Sequence, residues 1–273
     1  MIDPTRLAFV GGLHRSGTTP LARALAEHPD VAGIRDSGVN EDEGVHLQDV
    51  YPPTRPYGGM GRFARDPRAH LTEDSPLVSP ENAQRLVEAW SPYWDTERRV
   101  LLEKSPANLI MGRFLQALFP GSALVVLVRH PVVNALALDK WNPWPVARNG
   151  RRHSSLPDLV GHWVRAHDIV REDAQHLDRV LVLRYEDLVA DPTAVLGEVA
   201  DLLGLASAVP ADSIRGGASE RYAQRWDDMA SGPPWARRRR RQVEERYGDA
   251  VRAWGYSLDD LTSVAPWRGL PGH

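Results

Sequence analysis

The chain has no cysteine among its 273 residues. That excludes disulfides, a thiolate metal site and a cysteine nucleophile, and it fits a cytoplasmic setting. No apolar run approaches the ~18 residues that a membrane span needs. No basic-then-apolar leader opens the chain, since the apolar run Leu7–Val10 is short and leads straight into glycines. Strong charge of either sign is also missing. The formal net charge of −3 gives no general case for nucleic acid or an anionic membrane as partner. Repeats, low-complexity tracts and linkers are absent, so residues 1–273 read as a single domain. A hydrophobic fraction of 42% is enough for a sizeable core. The nine tryptophans are assigned to core or cleft wall and carry no functional reading.

Strand and helix patterns alternate along the chain. Apolar runs at Leu7–Val10, Val100–Leu102, Ala123–Val128 and Arg179–Leu183 read as strands. Ala123–Val128, apolar on both faces, is the clearest buried parallel strand. Helices are expected over 18–27, from Ser79-Pro80, over 108–119, from Pro131 to about Trp141, over 159–177, over 192–203 and over 233–254. A short helix is expected after the acidic stretch Asp36–Glu43, running through Val50. Residues 51–71, 142–157 and 216–228 read as loops. This alternation predicts a three-layer α/β/α fold with a central, doubly wound parallel sheet. Ligands in such folds sit at the carboxyl ends of the strands.

The stretch from Leu7 to Arg23 is a buried-strand run, a Gly-bounded loop and a helix start. Gly12 and Gly17 bracket four residues and Thr18-Thr19 follow, the frame of a P-loop. Thr18 stands where the Walker lysine belongs, and the positive charge has moved into the loop as Arg15. Loop N–H groups and a helix start still suit an anion, so Arg15, Ser16, Gly17, Thr18 and Thr19 are candidate binders. A plain Gly turn is the bland alternative. At the end of the most buried strand, where many P-loop NTPases carry an acidic metal-holding residue, this chain has Arg129. A cation there repels a metal and attracts a second anion. Together these residues suggest a ligand with two separated anionic groups, bound without metal. The alternative for Arg129 is a strand-end arginine paired with a carboxylate.

At this point the pattern resembles the PAPS-dependent sulfotransferases, in their bacterial branch with Arg in the loop. Arg15-Ser-Gly-Thr-Thr19 is similar to their 5′-phosphosulfate loop, and Val125-Val-Leu-Val-Arg129-His-Pro131 to their 3′-phosphate segment. Glu103-Lys-Ser-Pro106 and Tyr185-Glu-Asp-Leu188 match their middle-strand and later segments. These motifs fall in the family's order over roughly residues 7 to 190. The resemblance implies PAPS as co-substrate, PAP as product, no metal, and a small-molecule hydroxyl (less favoured, amine) acceptor. It gives Tyr185 a place at the nucleotide site and leaves a homodimer open. One departure stands out. The family's serine eight residues after the arginine is Ala137 here, and Asn134, one turn earlier, is the candidate replacement. Ser219–Trp226 weakly matches the closing nucleotide contact, making Arg221 and Tyr222 further candidates.

Sulfuryl transfer to an alcohol needs a base. Members of that family carry one on a segment equivalent to Asn40–His46, so Glu41, Glu43 and His46 are the candidates. Glu43 leads by position and His46 is second. The bland reading is an acidic helix start with a surface histidine. Lys104, at a strand end, is expected to point into the cleft and stabilise the leaving group. The run Arg237–Arg241 begins a helix with Glu244 and Glu245 on its next turn, which favours a solvated face over nucleic-acid binding. Residues 51–71 and 142–157, with Trp141 and Trp144, are expected to line the acceptor pocket. Two other readings remain open. One is a small-molecule kinase using ATP and Mg²⁺, which Thr18 and Arg129 disfavour. The other is an inactive nucleotide-binding module, at which Ala137 hints.

Overall fold

The structure, a computed structural model, describes residues 2–140, 154–217 and 219–266. Its centre is a parallel sheet of β1 (Leu7–Gly11), β2 (Val31–Gly33), β3 (Val100–Lys104), β4 (Ala123–Val128) and β5 (Val180–Arg184), in the order β2-β3-β1-β4-β5. Strand side chains alternate between two faces, and each face meets its own apolar cluster. Leu7, Phe9, Leu101, Val126 and Val128 belong to one, Ala8, Val10, Leu102, Val125 and Leu127 to the other. β1, β3 and β4 are buried along their whole length, which is why β1 and β4 read as continuous apolar runs, as does β3 up to Leu102, before the buried Glu103 and Lys104.

Helices cover both faces. They are α1 (Thr18–Leu25), α2 (Pro80–Trp90), α3 (Gly112–Leu118), α4 (Pro131–Asp139), α5 (Leu156–Ala174), α6 (Tyr185–Ala190), α7 (Pro192–Leu203), α8 (Glu220–Ser231) and α9 (Pro234–Arg252). Their starts are chemical. Ser79 accepts from the Asn82 N–H ahead of Pro80, and Asp191 accepts from the Ala194 N–H ahead of Pro192. Ser155 and Asp158 form a reciprocal capping box, so α5 begins earlier than the expected 159.

Three sequence expectations change. Residues 216–228 are mostly not loop, because α8 occupies Glu220–Ser231. Its inward stripe is only Tyr222 and Trp226, four residues apart among polar positions, which hides it in the sequence. The segment after Asp36 forms 3₁₀ turns at Asn40–Asp42 and Gly44–His46 instead of a helix through Val50. Glu41 and Asp42 sit at φ 53° and 49°, in the left-handed region, which interrupts any helix. The expected helix over 108–119 is a 3₁₀ turn, Pro106–Ile110, then α3, with non-helical Met111 between. The arginine run lies on α9. There Arg240 pairs with Glu244, and its guanidinium sits 4.7 Å over the Trp226 ring, in keeping with a packed, partly solvated face.

Of the buried polar groups left without a hydrogen-bond partner among the described residues, His162 on α5 lacks one at both ring nitrogens. It is 0% exposed. Burial, helped by the Arg65, His14, His167 and Arg62 charges, lowers its pKa to about 3. An unfolded histidine protonates below about 6.5, so acidification favours the unfolded chain over that window. His162→Leu should therefore stabilise the fold by about 1–2 kcal/mol at neutral pH. Its advantage should grow as pH falls below ~6.5. Urea unfolding of both proteins at pH 7.5 and 5.5 measures this, and a pH-independent difference would show that the imidazole does not stay neutral in the fold.

Candidate active site

The polar motifs gather at the carboxyl edge of the sheet. β1 ends at Gly11, and the loop to α1 is held from both sides. The Gly12 N–H donates to the Pro106 carbonyl at 3.2 Å, and Asn134 Nδ2 donates to the His14 carbonyl at 2.9 Å. Arg15 takes φ 73°, a left-handed conformation costly for a residue with a side chain. Gly17, at φ 103°, is required twice over, since a Cβ there would lie 2.7 Å from Tyr185 Cδ2. Thr18 and Thr19 open α1, so the loop's amides and the helix start share one cradle. The Ser16 hydroxyl is buried inside it without a partner among the described residues.

Arg129 follows β4 and is 6% exposed. Its Nη1 donates to the Arg15 carbonyl at 3.0 Å and its Nη2 to Ser219 Oγ at 2.7 Å, while its Nε is buried and unpartnered. The guanidinium stacks 4.2 Å from the Tyr185 ring centroid. Among the described residues no carboxylate lies within ion-pair distance of it. Glu186, next to Tyr185, accepts instead from the His130 N–H and the Tyr256 hydroxyl, both at 2.9 Å. Asp187 is paired with Arg184 at 2.7 Å. Each member of the Tyr-Glu-Asp segment thus has its own task, and none neutralises Arg129. Burial lowers the Arg129 pKa while nearby Tyr185, Glu186 and Tyr222 pull it back, so the site holds a largely desolvated guanidinium with no ion-paired carboxylate among the described residues.

The second corner lies across the loop at the end of β3. Glu43 is 5% exposed, and its Oε1 lies 3.3 Å from Lys104 Nζ. Its Oε2 lies 3.6 Å from His46 Nε2, one 3₁₀ turn on. Lys104 also donates to the Glu41 carbonyl at 2.9 Å. Burial raises the Glu43 pKa, while Lys104 and His46 pull it back and Glu41 adds to the rise. A carboxylate so placed keeps its proton to a higher pH than an ordinary one and, once ionised, is the stronger base.

Glu43, His46 and Lys104 are therefore brought together, and the Glu41 side chain points away to Arg23 at 3.8 Å. Arg129, Tyr185, Ser16 and Gly17 converge on the loop. Asn134 has an amide hydrogen committed to the loop carbonyl, and Ala137 is buried in α4. Tyr222 is buried, whereas Arg221 is exposed and lies 4.9 Å over the Tyr222 ring. Three residues escaped the sequence reading. Ser219 was only part of a weakly matching tail. His14, beside Arg15, has its pKa held down to about 4 by burial and by Lys104, His46 and Arg15. Glu103 was visible as an acid inside an apolar strand. The expected pocket residues Trp141, Trp144 and 142–153 lie outside the described residues, and 51–71 forms short 3₁₀ turns over buried Tyr51 and Phe63. Among the described residues no group of three or more His, Asp or Glu side chains is placed to hold a metal, and no helix is long and apolar enough to cross a membrane.

The model of the Sulfotransferase family matches residues 8–208. A protein-tyrosine sulfotransferase of Drosophila melanogaster is 26% identical over 203 residues, covering 68% of this chain and 35% of that protein. The chain thus spans about 35% of that relative's length. Among solved structures, a sulfotransferase domain from the Synechococcus olefin synthase is similar at a TM-score of 0.48 and 21% identity, covering 81% of each chain. A Mycobacterium avium sulfotransferase gives 0.49 at 13% identity, covering 89% of this chain and 76% of that one.

Proposed function

The chain belongs to the sulfotransferase family, and we propose that it moves a sulfuryl group from PAPS to the hydroxyl of a small-molecule acceptor and releases PAP. The observation that carries this is Arg129, a buried guanidinium whose Nε is unpartnered and which has no ion-paired carboxylate among the described residues, set beside an anion-shaped loop. The residues fit the nucleotide. The orphaned Ser16 hydroxyl and the left-handed Gly17 leave a cradle that a side chain would fill.

In this reading the loop amides with Arg15, Ser16, Thr18 and Thr19 hold the 5′ end. Arg129, backed by Tyr185 and Ser219 and flanked by Asn134, Arg221 and Tyr222, holds the 3′-phosphate. PAPS, when bound, supplies the sulfuryl group and leaves as PAP. Glu43 takes the acceptor proton at its carboxylate, His46 orients the acceptor, and Lys104 stabilises charge on the departing oxygen. The cation at the end of β4, where metal-using nucleotide enzymes carry an acid, is the reason no divalent metal enters the scheme. Positioning and fixed charge provide most of the rate.

Incubation with PAPS labelled in its sulfuryl group, with phenols, polyols and amines as acceptors, tests the proposal. Acceptor-dependent label transfer and PAP release, without added divalent metal, is expected. Turnover of ATP with Mg²⁺ and none of PAPS would overturn it.

A further inference from the structure

Glu103 is 0% exposed, and among the described residues no cation is ion-paired with its carboxylate, which hydrogen-bond donors satisfy instead. On β3 it stands opposite Phe9 and shares the face of Leu101. Three donors aim at it. The Gly44 N–H reaches Oε1 at 3.0 Å, the Ser105 hydroxyl reaches Oε1 at 2.5 Å, and Asn108 Nδ2 reaches Oε2 at 2.6 Å. Three donors satisfy an ionised carboxylate, whereas a protonated one must turn a hydrogen towards one of them.

These contacts fix the chain beside Glu43. The other side of Gly44 is held too, since Trp90 Nε1 donates to its carbonyl at 3.0 Å. A Cβ on Gly44 would lie 2.6 Å from Glu103 Oε1 and 2.8 Å from Trp90 Nε1, so only glycine fits the clamp. The next amide, Val45 N–H, donates to Ser105 Oγ at 3.0 Å. Glu43 is therefore the last residue before two consecutive amides bolted to the end of β3. Lys104, its partner, is the residue after Glu103.

We propose that Glu103 is a positioning residue, whose ionised carboxylate clamps the Gly44 amide to β3 and so fixes where the Glu43 carboxylate stands against Lys104. The inference rests on reading Glu43 as the base. The charged and titratable groups around Glu103 are Lys104, Glu43 and the buried Tyr51 hydroxyl; Ser105, Asn108 and Trp90 are neutral. Burial raises the Glu103 pKa to about 7, against the pull of Ser105, Asn108 and Lys104 and with a push from Glu43. Losing the proton from Glu103 thus sets the clamp near neutral pH.

Glu103→Gln keeps the volume but turns an amide N–H₂ towards a donor. The expected result is a kcat lower by about 10–100-fold, as small misplacements of reacting groups give. PAP affinity should stay within about twofold, because Arg129 and the loop are untouched. In the wild type, two carboxylates must ionise, so the acid limb of kcat against pH should be steeper than a one-proton titration. In Glu103→Gln it should be a one-proton limb, whereas loss of fold quality alone would lower the whole profile without changing its slope. Hydrogen exchange at Gly44 and Val45 should quicken in the variant while residues 12–19 are unchanged. That readout needs no turnover, so absence of transfer in the wild type would sink the base reading and leave the clamp to be decided by exchange. Ser105→Ala should move exchange in the same direction and serves if Glu103→Gln does not fold. Unchanged exchange at residues 44 and 45, or an unchanged kcat and acid limb, would overturn the proposal.

Discussion

Glu43→Gln should lower sulfuryl transfer by about 10²–10⁴ while leaving PAP affinity intact. The amide keeps the carboxylate's size and a hydrogen bond to Lys104, but it cannot accept the acceptor's proton. The environment sharpens the expectation. Burial raises the Glu43 pKa, and the contacts to Lys104 and His46 keep the ionised form within reach. The base form is then lost on acidification at a higher pH than an ordinary carboxylate would require. Wild-type kcat should fall with acid, and the variant should lose the Glu43 proton from that limb. His46→Ala should cost less, acting on acceptor KM. If His46 carries the greater loss, the two roles exchange. Near-normal transfer in both variants would remove the segment from the mechanism. Steady-state kinetics with calorimetric PAP binding on each variant decides among these outcomes.

Arg129→Ala should weaken PAP binding by roughly 1.5–3 kcal/mol, or about tenfold to more than a hundredfold. Two losses combine. The phosphate loses a charge-assisted donor, and the Arg15 carbonyl and Ser219 hydroxyl lose the group that ties loop to α8. Arg129→Lys should recover little, because a single ammonium cannot reach the loop, α8 and a phosphate together or stack on Tyr185 in the same way. Acceptor KM should hardly change. Titration calorimetry measures the effect, and unchanged PAP affinity in Arg129→Ala would return Arg129 to a structural role.

Both corners were legible in the sequence to different depths. The loop and Arg129 were readable because each is a polar group at the end of an apolar strand, and local pattern fixes such ends. Lys104 was readable for the same reason. The contact of Glu43 with Lys104 was not readable, unlike its local approach to His46, since Lys104 comes from β3, some 60 residues away in sequence. The clamp on Gly44 joins residues 59 positions apart, and no local period announces it. The left-handed Glu41 and Asp42 gave no warning either, because acidic residues also suit a helix start. α8 was missed because two buried aromatics among polar residues make too thin a stripe, while tertiary packing against α4 and α9 fixes it.

The central claim is that this site reads a nucleotide with two separated anionic groups, the second held by Arg129. Comparing PAP with ADP tests it most directly, because both carry two phosphates, separated on the 3′ and 5′ positions in PAP but adjacent on the 5′ end in ADP, which has no 3′-phosphate. In thermal unfolding, PAP at ~100 times its dissociation constant should stabilise the wild type by about 2–3 kcal/mol. ADP at the same concentration should stabilise it far less. Equal stabilisation by PAP and ADP would contradict the claim and leave Arg129 without a ligand to read.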